Sequence, residues 1–372
     1  MRPRLALAAG PLLAAVLSLQ GCAGPAARRR TAAADASPPA IVEVGVAPKA
    51  IDVSRQEQAA FHFTLVHPAA ARVDVVDDAG GVVRRLGLGW RTAGRQVAQW
   101  DGRAADHAPV PDGVYRYVII AEDRSGHRAV YDPSMETGGE ELSAWAFQHD
   151  PNTGRLQWVM PKAGYVRLRI GVGRFPLLRT LLDWEPMEAG AHAVEWDGKD
   201  ASGLIDLRRH PGLAITLSAF AMPDNTVIVR HSAQRATAEP GGDAAYPPAF
   251  RQPAAYLHAR HRRAACREAG VGVAFPGARR DPNGLPLLNG IVPVRVTVEA
   301  SDARRMTDER FEVSLFEDLT FLFEEEDGAT PFTYLWDTSH LTPGRHLLTV
   351  NVLGYADHMG VRTVPVMVEF AG

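Results

Sequence analysis

The chain has two cysteines, Cys22 and Cys266, and their surroundings predict different chemistry for the two thiols. Cys22 ends an apolar amino-terminal stretch, whereas Cys266 closes the basic segment "HARHRRAAC" (258–266). A thiolate can act as a nucleophile, but the sequence around Cys266 carries no local signature of a thiol enzyme. Cysteine is also among the residue types most often buried in a core. We therefore expect Cys266 to pack in the protein rather than to react.

Metal binding is the second chemistry that the residue types suggest. His258 and His261 lie near Cys266, and the loop "DGKDASG" (197–203) contains Asp197 and Asp200. Zinc sites need three or four ligands at close, paired spacings, and an EF-hand needs alternate acidic positions. Neither pattern is complete in this chain. The sequence therefore predicts no metal and no cofactor, and it predicts a turn-forming role for the two aspartates.

Motifs of common enzyme sites are missing from the sequence. It contains no nucleophile elbow, no zinc-protease helix motif, no phosphate-binding loop and no dinucleotide-binding glycine pattern. The formal net charge of −3 argues against general nucleic-acid binding, which requires a basic surface. We expect a protein that is not an enzyme and that binds no nucleic acid.

The amino terminus, residues 1–21, predicts a signal peptide. Arg2 and Arg4 precede the apolar run 5–19, which is short for a transmembrane helix. The next residues, "LQGC" (19–22), resemble the lipobox of bacterial lipoproteins. This resemblance implies that Cys22 is lipidated and that its acyl chains anchor the protein in a membrane. The resemblance to Gram-negative lipoproteins, with Ala23 after the cysteine, implies the outer membrane, on its periplasmic or its cell-surface face.

Beyond the anchor, the sequence predicts a tether and then strands. Residues 22–40 are rich in alanine, end in a Pro-Pro-Ala sequence and predict a flexible tether. From residue 41 the apolar period is two, as in "YVRLRIGV" (165–172), where Arg167 and Arg169 share one face. This alternation is typical of a half-buried antiparallel strand. For the alanine-rich segment 254–268, the sequence leaves helix and strand as open alternatives.

An internal repeat predicts how these strands are organised. The stretches "AGRQVAQWDG" (93–102) and "AGAHAVEWDG" (189–198) share their tryptophan, aspartate and glycine, and Trp196 follows Trp100 by 96 positions. Tryptophan is large enough to fill a sandwich core, the aspartate can accept backbone N–H groups, and the glycine allows a positive φ. We therefore expect two tandem β-sandwiches of ordinary size with both tryptophans in their cores.

The first of these units resembles a known family. Residues 72–123, with "VVRRL", "WDG" and "PDG" in order, are similar to the immunoglobulin-like domain of the flagellar hook-capping protein. Residues 157–229 match this pattern more loosely. A third unit, built around "FTYLWDTSHLTPGRHLLTVNVLG" (332–354), resembles bacterial immunoglobulin-like repeats and predicts a core of Trp336, Leu348, Val350 and Val352. The resemblance implies a spacer or docking module and specifies no activity.

These observations predict an all-β chain of three tandem immunoglobulin-like β-sandwich domains after a lipoprotein signal and a flexible tether. The predicted boundaries are signal peptide 1–21, lipidated cysteine and tether 22–40, sandwiches 41–130 and 139–230, linker 231–253, and sandwich 254–372.

A basic cluster is the one candidate docking site that the sequence offers. It consists of Arg251, Arg260, Arg262, Arg263, Arg267, Arg279 and Arg280. An acidic run, residues 324–327, lies elsewhere in the chain. Either both are solvated faces, or the arginines bind an acidic or phosphate-bearing partner, which guanidinium groups suit.

The expected function is that of a membrane-anchored envelope lipoprotein that scaffolds or docks an unidentified envelope or surface protein. The alternative is an enzyme accessory or a carbohydrate-binding lipoprotein acting on cell-wall or extracellular polysaccharide. Carbohydrate-binding sandwiches present exposed aromatic side chains, so exposure of Trp90, Trp145, Trp158 or Trp184 would favour this alternative.

Overall fold

The structure is a computed structural model that describes residues 38–78, 80–142, 146–232, 268–355 and 358–369. Among these, the structure is dominated by short strands. In chain order they are β1 (Ile41–Ala47), β2 (Ala50–Asp52), β3 (Ala59–Leu65), β4 (Ala69–Val76), β5 (Val82–Arg91), β6 (Gly94–Trp100), β7 (Gly113–Glu122), β8 (Arg128–Tyr131), β9 (Gln148–Asp150), β10 (Arg155–Met160), β11 (Gly164–Val172), β12 (Leu177–Met187), β13 (Gly190–Glu195), β14 (Leu213–Ala221), β15 (Val227–Arg230), β16 (Val271–Ala274), β17 (Arg279–Arg280), β18 (Pro286–Leu288), β19 (Ile291–Val298), β20 (Phe311–Glu317), β21 (Thr320–Glu325), β22 (Phe332–Asp337), β23 (Gly344–Gly354) and β24 (Met359–Val368). Within the described residues the α-helix is α1 (Ala300–Glu309), and 3-10 turns occupy Val53–Arg55 and Pro133–Met135.

The strands form three β-sandwiches, so the predicted all-β, immunoglobulin-like fold class is confirmed. In the first sandwich, the sheet β1-β3-β6 faces the sheet β2-β15-β7-β4-β5, in which β8 pairs with β7. In the second sandwich the sheets are β13-β10-β9 and β12-β11-β14. In the third they are β16-β19-β22 and β17-β18-β24-β23-β20-β21.

Alternating apolar residues give each sandwich its own core. In the first, β3 buries every second residue, and the ring of Phe61 lies 4.3 Å from that of Tyr117 on β7. In the second, Leu168 and Ile170 of β11 are fully buried, as is Leu156 of β10. Antiparallel ladders fix the register of β3 and β11, so the same alternate positions face inward along each of these strands.

The strand β15 departs from the order of the predicted domains. It falls within the range 139–230 predicted for the second sandwich, yet it pairs with β2 and β7 of the first. The backbone N–H of Ile228 donates to the carbonyl of Lys49 at 2.8 Å. The strands of the second sandwich therefore lie, in sequence, between β8 and β15 of the first.

The helix α1 is a second feature that the sequence pattern did not predict. It lies within the predicted third sandwich and connects β19 to β20. Met306 is fully buried in the core of that sandwich, while Arg304 on the opposite side is exposed. The ion pair between Arg305 and Asp302, at 2.7 Å, joins residues three apart on the helix. One apolar anchor and a charged outer face thus hold this short helix on the sandwich.

Candidate functional surfaces

The Trp-Asp-Gly repeat forms the same buried corner in the first and second sandwiches. The indole Nε1 of Trp100 donates to the carbonyl of Arg103 at 2.9 Å, and that of Trp196 donates to the carbonyl of Lys199 at 2.8 Å. Both tryptophans are almost fully buried. The aspartate after each one accepts the backbone N–H two residues further on, and the following glycine has a positive φ. The predicted structural role of both tryptophans is confirmed.

The third sandwich has a related corner at Trp336. Its indole Nε1 donates to the carboxylate of Glu317 at 2.9 Å instead of to a carbonyl. Asp337 accepts the backbone N–H of Ser339 at 3.0 Å, as the aspartates of the other two corners do. The predicted core of this unit is confirmed, because all four of its members are fully buried: Trp336, Leu348, Val350 and Val352.

The second face of β11 corrects the prediction of a half-buried strand. Arg167 and Arg169 are only 9% and 6% exposed, although their alternation with aliphatic residues predicted a solvated face. Both faces of the strand are covered because one packs in the second sandwich and the other meets the neighbouring sandwiches. Tyr165 lies on the same face as the arginines, and this aromatic residue was the available signal of burial.

An apolar joint connects the first and second sandwiches. The hydroxyl of Tyr165 donates to the Asp78 carboxylate at 2.5 Å, and the guanidinium carbon of Arg167 lies 4.4 Å from the centroid of the Trp184 ring. Aromatic and aliphatic groups from β7, β11, β12, β14 and β15 meet here. The buried members of the apolar joint are Val114, Tyr165, Trp184, Phe220, Met222 and Ile228.

A polar joint connects the second and third sandwiches. The side-chain amide of Asn351, on β23, accepts the backbone N–H of Leu177 at 2.8 Å and donates to its carbonyl at 2.9 Å. The backbone N–H of Glu268 donates to the carboxylate of Asp183 at 2.5 Å, and the guanidinium of Arg169 contacts the sulfur of Met359. Hydrogen bonds and charged groups thus form most of this second joint, and one apolar side chain of the third sandwich, Leu319, packs against the core of the second.

Burial also changes the acidity of one group in the polar joint. Removal from water raises the pKa of Glu268, and the neighbouring carboxylate of Asp183 raises it further. The nearby guanidinium of Arg169 opposes this rise, but the pKa remains above its ordinary value. Protonation of Glu268 is therefore coupled to the closed arrangement of the joint.

An open depression of about 520 Å³ lies beside β5, an edge strand of the first sandwich. The backbone N–H of Ala105 donates to the carbonyl of Val83 at 2.9 Å, which holds the following loop against the strand. The side chain of Arg85 is 69% exposed, and His107 is exposed with a φ of 66°. The exposed guanidinium of Arg85 suits an anionic partner. The lining residues are Val82, Val83, Arg84, Arg85, Ala105 and His107.

Of the four tryptophans that bear on carbohydrate binding, Trp90 is exposed. It is 44% accessible, and the guanidinium carbon of Arg124 lies 4.8 Å from the centroid of its ring. Trp158 and Trp184 are buried at 2% and 0%. Trp145 lies outside the described residues. Trp90 is therefore the exposed one among the three of these tryptophans that the structure describes.

Most of the predicted site residues lie outside the described residues. At the amino terminus these are the signal peptide, Cys22 and most of the tether. Further along the chain they are the ligand candidates His258, His261 and Cys266 and nearly all of the segment 254–268. Five members of the basic cluster also lie there: Arg251, Arg260, Arg262, Arg263 and Arg267. Most of the predicted linker 231–253 also lies there. The remaining two arginines are exposed on β17. Arg279 pairs with Glu369 at 2.6 Å, and Arg280 donates to the carbonyl of Gly284 at 2.6 Å.

The acidic run 324–327 makes contacts of its own within the third sandwich. Glu324 accepts the hydroxyl of Ser314 at 3.1 Å, and Asp327 pairs with Arg310 at 3.2 Å. The described arginines of the basic cluster contact Glu369 and Gly284 instead of this run.

The aspartates of the loop 197–203 bind groups of their own loop and a neighbouring strand. Asp200 is almost fully buried, and its two oxygens accept the backbone N–H groups of Ile205 and Ser202. Asp197 accepts from Lys199 and from the guanidinium of Arg179. This is the turn-forming role that the sequence predicted. Across the described ranges, no group of three or more histidine, cysteine, aspartate or glutamate side chains is placed to hold a metal ion.

Within the part of the chain that the structure describes, no helix has both the length and the apolar character needed to cross a membrane.

Comparison with known families identifies the first sandwich. Residues 49–125 match the model of the FlgD Ig-like domain family. The first sandwich therefore contains an FlgD Ig-like module, which confirms the resemblance carried by residues 72–123. The match covers about a fifth of the chain. No curated protein matches the sequence.

Solved structures that resemble the chain include proteins of different kinds. FlgD from P. aeruginosa is 25% identical over 25% of this chain and 67% of its own, with a TM-score of 0.21. An endo-beta-1,4-mannanase from Thermotoga petrophila is 15% identical over 47% of this chain and 30% of its own, with a TM-score of 0.21. A bacterial ice-binding adhesin is 12% identical over 90% of this chain and 99% of its own, with a TM-score of 0.20. TM-scores this low do not bear on function.

Proposed function

We propose that this protein is a non-enzymatic envelope lipoprotein, anchored in the outer membrane through Cys22, whose sandwiches dock another envelope or surface protein. The observation that carries the proposal is the FlgD Ig-like module at residues 49–125. The repeated Trp-Asp-Gly residues support a non-enzymatic role, because they form buried structural corners in the first two sandwiches. On this proposal the lipidated cysteine places the sandwiches at the membrane, and their surfaces bind the partner.

The basic cluster is the proposed docking surface. Its described members, Arg279 and Arg280, are exposed, and each makes one contact within the third sandwich. Exposed guanidinium groups can form paired hydrogen bonds with the carboxylates or phosphates of a partner. The proposed partner is therefore an envelope protein that presents an acidic surface.

Fractionation and cross-linking test these two parts separately. Cys22→Ser should move the protein from the membrane fraction to the soluble fraction, and membrane retention of this variant would refute the anchor. In cross-linking of whole cells, the double variant Arg279→Ser, Arg280→Ser should lose the cross-linked partner. Arg304→Ser, which removes an exposed arginine of α1, should keep it. Equal cross-linking by the wild type, the double arginine variant and Arg304→Ser would refute docking through the basic cluster.

Trp90 favours a second candidate, in which the chain binds an envelope polysaccharide. Its ring is exposed on β5 beside Arg124, and aromatic faces can stack on sugar rings while a guanidinium donates hydrogen bonds. Retention on insoluble cell-wall polysaccharide should then fall in Trp90→Ala. The matched control is Tyr355→Ala, because Tyr355 is also an exposed aromatic residue beside an arginine. The centroid of its ring lies 5.9 Å from the guanidinium carbon of Arg310. Equal retention of wild type and Trp90→Ala would refute this candidate.

A further inference from the structure

The two joints between the sandwiches are held by different forces. The apolar joint buries aromatic rings, among them Trp184 and Phe220, whose centroids lie 5.3 Å apart. Opening it would expose these rings to water, which is unfavourable in proportion to the apolar area. The polar joint is closed by Asn351, Asp183 and Arg169. Water can replace each of these partners when the surfaces separate, so the net preference for the closed state is small.

The path of the chain reinforces this difference. It leaves the first sandwich after β8, forms the second, and returns to place β15 between β2 and β7. The amide of Asn225, just before β15, donates to the hydroxyl of Tyr131 at 2.8 Å. The first two sandwiches are therefore linked by two chain connections, one after β8 and one before β15, in addition to the apolar joint. By contrast, no strand of the second sandwich pairs with a strand of the third among the described residues.

The faces that meet at the polar joint suit exposure to water. Asn351 lies on the face of β23 opposite the core of the third sandwich, together with Thr349. The hydroxyl of Thr349 is hydrogen-bonded to that of Thr363 on β24 at 3.0 Å. Amide and hydroxyl groups on a sheet face are readily solvated, and polar interfaces between domains of one chain commonly permit relative motion.

From these contacts we propose that the polar joint is a hinge, about which the third sandwich opens and closes while the first two sandwiches move as one body. The closed state has a defined geometry because Asn351 binds both the N–H and the carbonyl of Leu177. Two directional hydrogen bonds to one residue fix the register of the joint, beside an apolar contact that Leu319 makes with the core of the second sandwich.

Hydrogen exchange of the full chain tests the hinge directly, because two backbone amides donate across it. These are the N–H groups of Leu177 and Glu268, whose acceptors are side chains of the opposite sandwich. Both should exchange at least about tenfold faster than the amide of Ile228, which belongs to the sheet of the first sandwich. Exchange of Leu177 and Glu268 as slow as that of Ile228 would overturn the hinge.

A pair of asparagine variants provides the control. Asn351→Ala removes both hydrogen bonds to Leu177 and should accelerate exchange of the Leu177 and Glu268 amides by a further factor of about ten. Asn225→Ala removes two side-chain hydrogen bonds, to Tyr131 and to Val44, near the apolar joint and should leave the Leu177 and Glu268 amides unchanged. Equal effects of the two variants would contradict the proposal. If Asn351→Ala unfolds the third sandwich, the comparison of Leu177 with Ile228 in the wild-type chain still decides.

Discussion

At the level of single residues, the tryptophan corners combine burial with one hydrogen bond each. Trp100 and Trp196 fill the cores of their sandwiches, and their indole N–H groups are satisfied by backbone carbonyls. Gly102 turns the chain at the first corner with a φ of 71°, and a Cβ there would lie 2.4 Å from the Val53 side chain. The first corner therefore depends on Gly102 as well as on Trp100.

Replacement of either tryptophan by alanine should destabilise the protein strongly. Trp100→Ala and Trp196→Ala should each lower the free energy of unfolding by about 3–5 kcal/mol, because each leaves a large cavity. Urea unfolding followed by circular dichroism measures this change. The control is Trp90→Ala, which removes an exposed ring and should change the free energy by less than about 0.5 kcal/mol. Similar small losses at all three positions would contradict the structural role of the corners.

Glu268 predicts a dependence of stability on pH. Because burial raises its pKa in the folded protein, the folded state holds the proton more tightly than the unfolded state does. This stabilisation is complete below the ordinary pKa of 4.5 and is lost as the pH rises through the folded value. Glu268→Gln, which stays neutral, should therefore melt at a higher temperature than wild type at pH 7 and at a similar temperature at pH 4.

The comparison of melting temperatures has a simple control. Glu122→Gln makes the same change of side chain at an exposed position of β7 and should not change the pH dependence. If Glu268→Gln has the same melting temperature as wild type at pH 7, the ionised carboxylate of Glu268 does not weaken the folded state.

At the level of elements, β15 makes the first sandwich dependent on residues that follow the second. A fragment of residues 38–136 lacks β15 and would expose the facing edges of β2 and β7. Unpaired strand edges favour aggregation, so this fragment should be insoluble or lack a cooperative thermal transition. A fragment of residues 38–232 restores the strand and should melt cooperatively. Equal folding of both fragments, measured by circular dichroism, would show that β15 is dispensable.

The sequence predicted those elements whose pattern is local. The period of two in β3 and β23, and the turn residues at each tryptophan corner, follow from side chains that are close in sequence. The placement of β15 beside β2, and the burial of Arg167 and Arg169, depend on contacts with distant parts of the chain. An alternation of charged and aliphatic residues indicates only that the two faces of a strand differ. It does not indicate which part of the protein packs against the charged face.

At the level of the whole molecule, the third sandwich has the features expected of an independently folding domain. Its core is continuous, and β16 pairs with β19 of the same unit rather than with a strand of the second sandwich. A fragment of residues 254–372 should therefore fold alone as a β-protein, and the face that it exposes at Asn351 is polar. A structureless or insoluble fragment would contradict this prediction.

Calorimetry of the full chain should then show two transitions. The larger should report the first two sandwiches together, because the apolar joint and β15 couple their unfolding. The smaller should report the third sandwich, at a temperature close to that of the isolated fragment 254–372, because the polar joint contributes little net free energy. Asn351→Ala removes the hydrogen bonds to Leu177, so the third sandwich of the full chain should then unfold at a temperature still closer to that of the isolated fragment. Asn225→Ala should not have this effect. A single transition for the whole chain would mean that the polar joint couples the third sandwich as tightly as the apolar joint couples the first two.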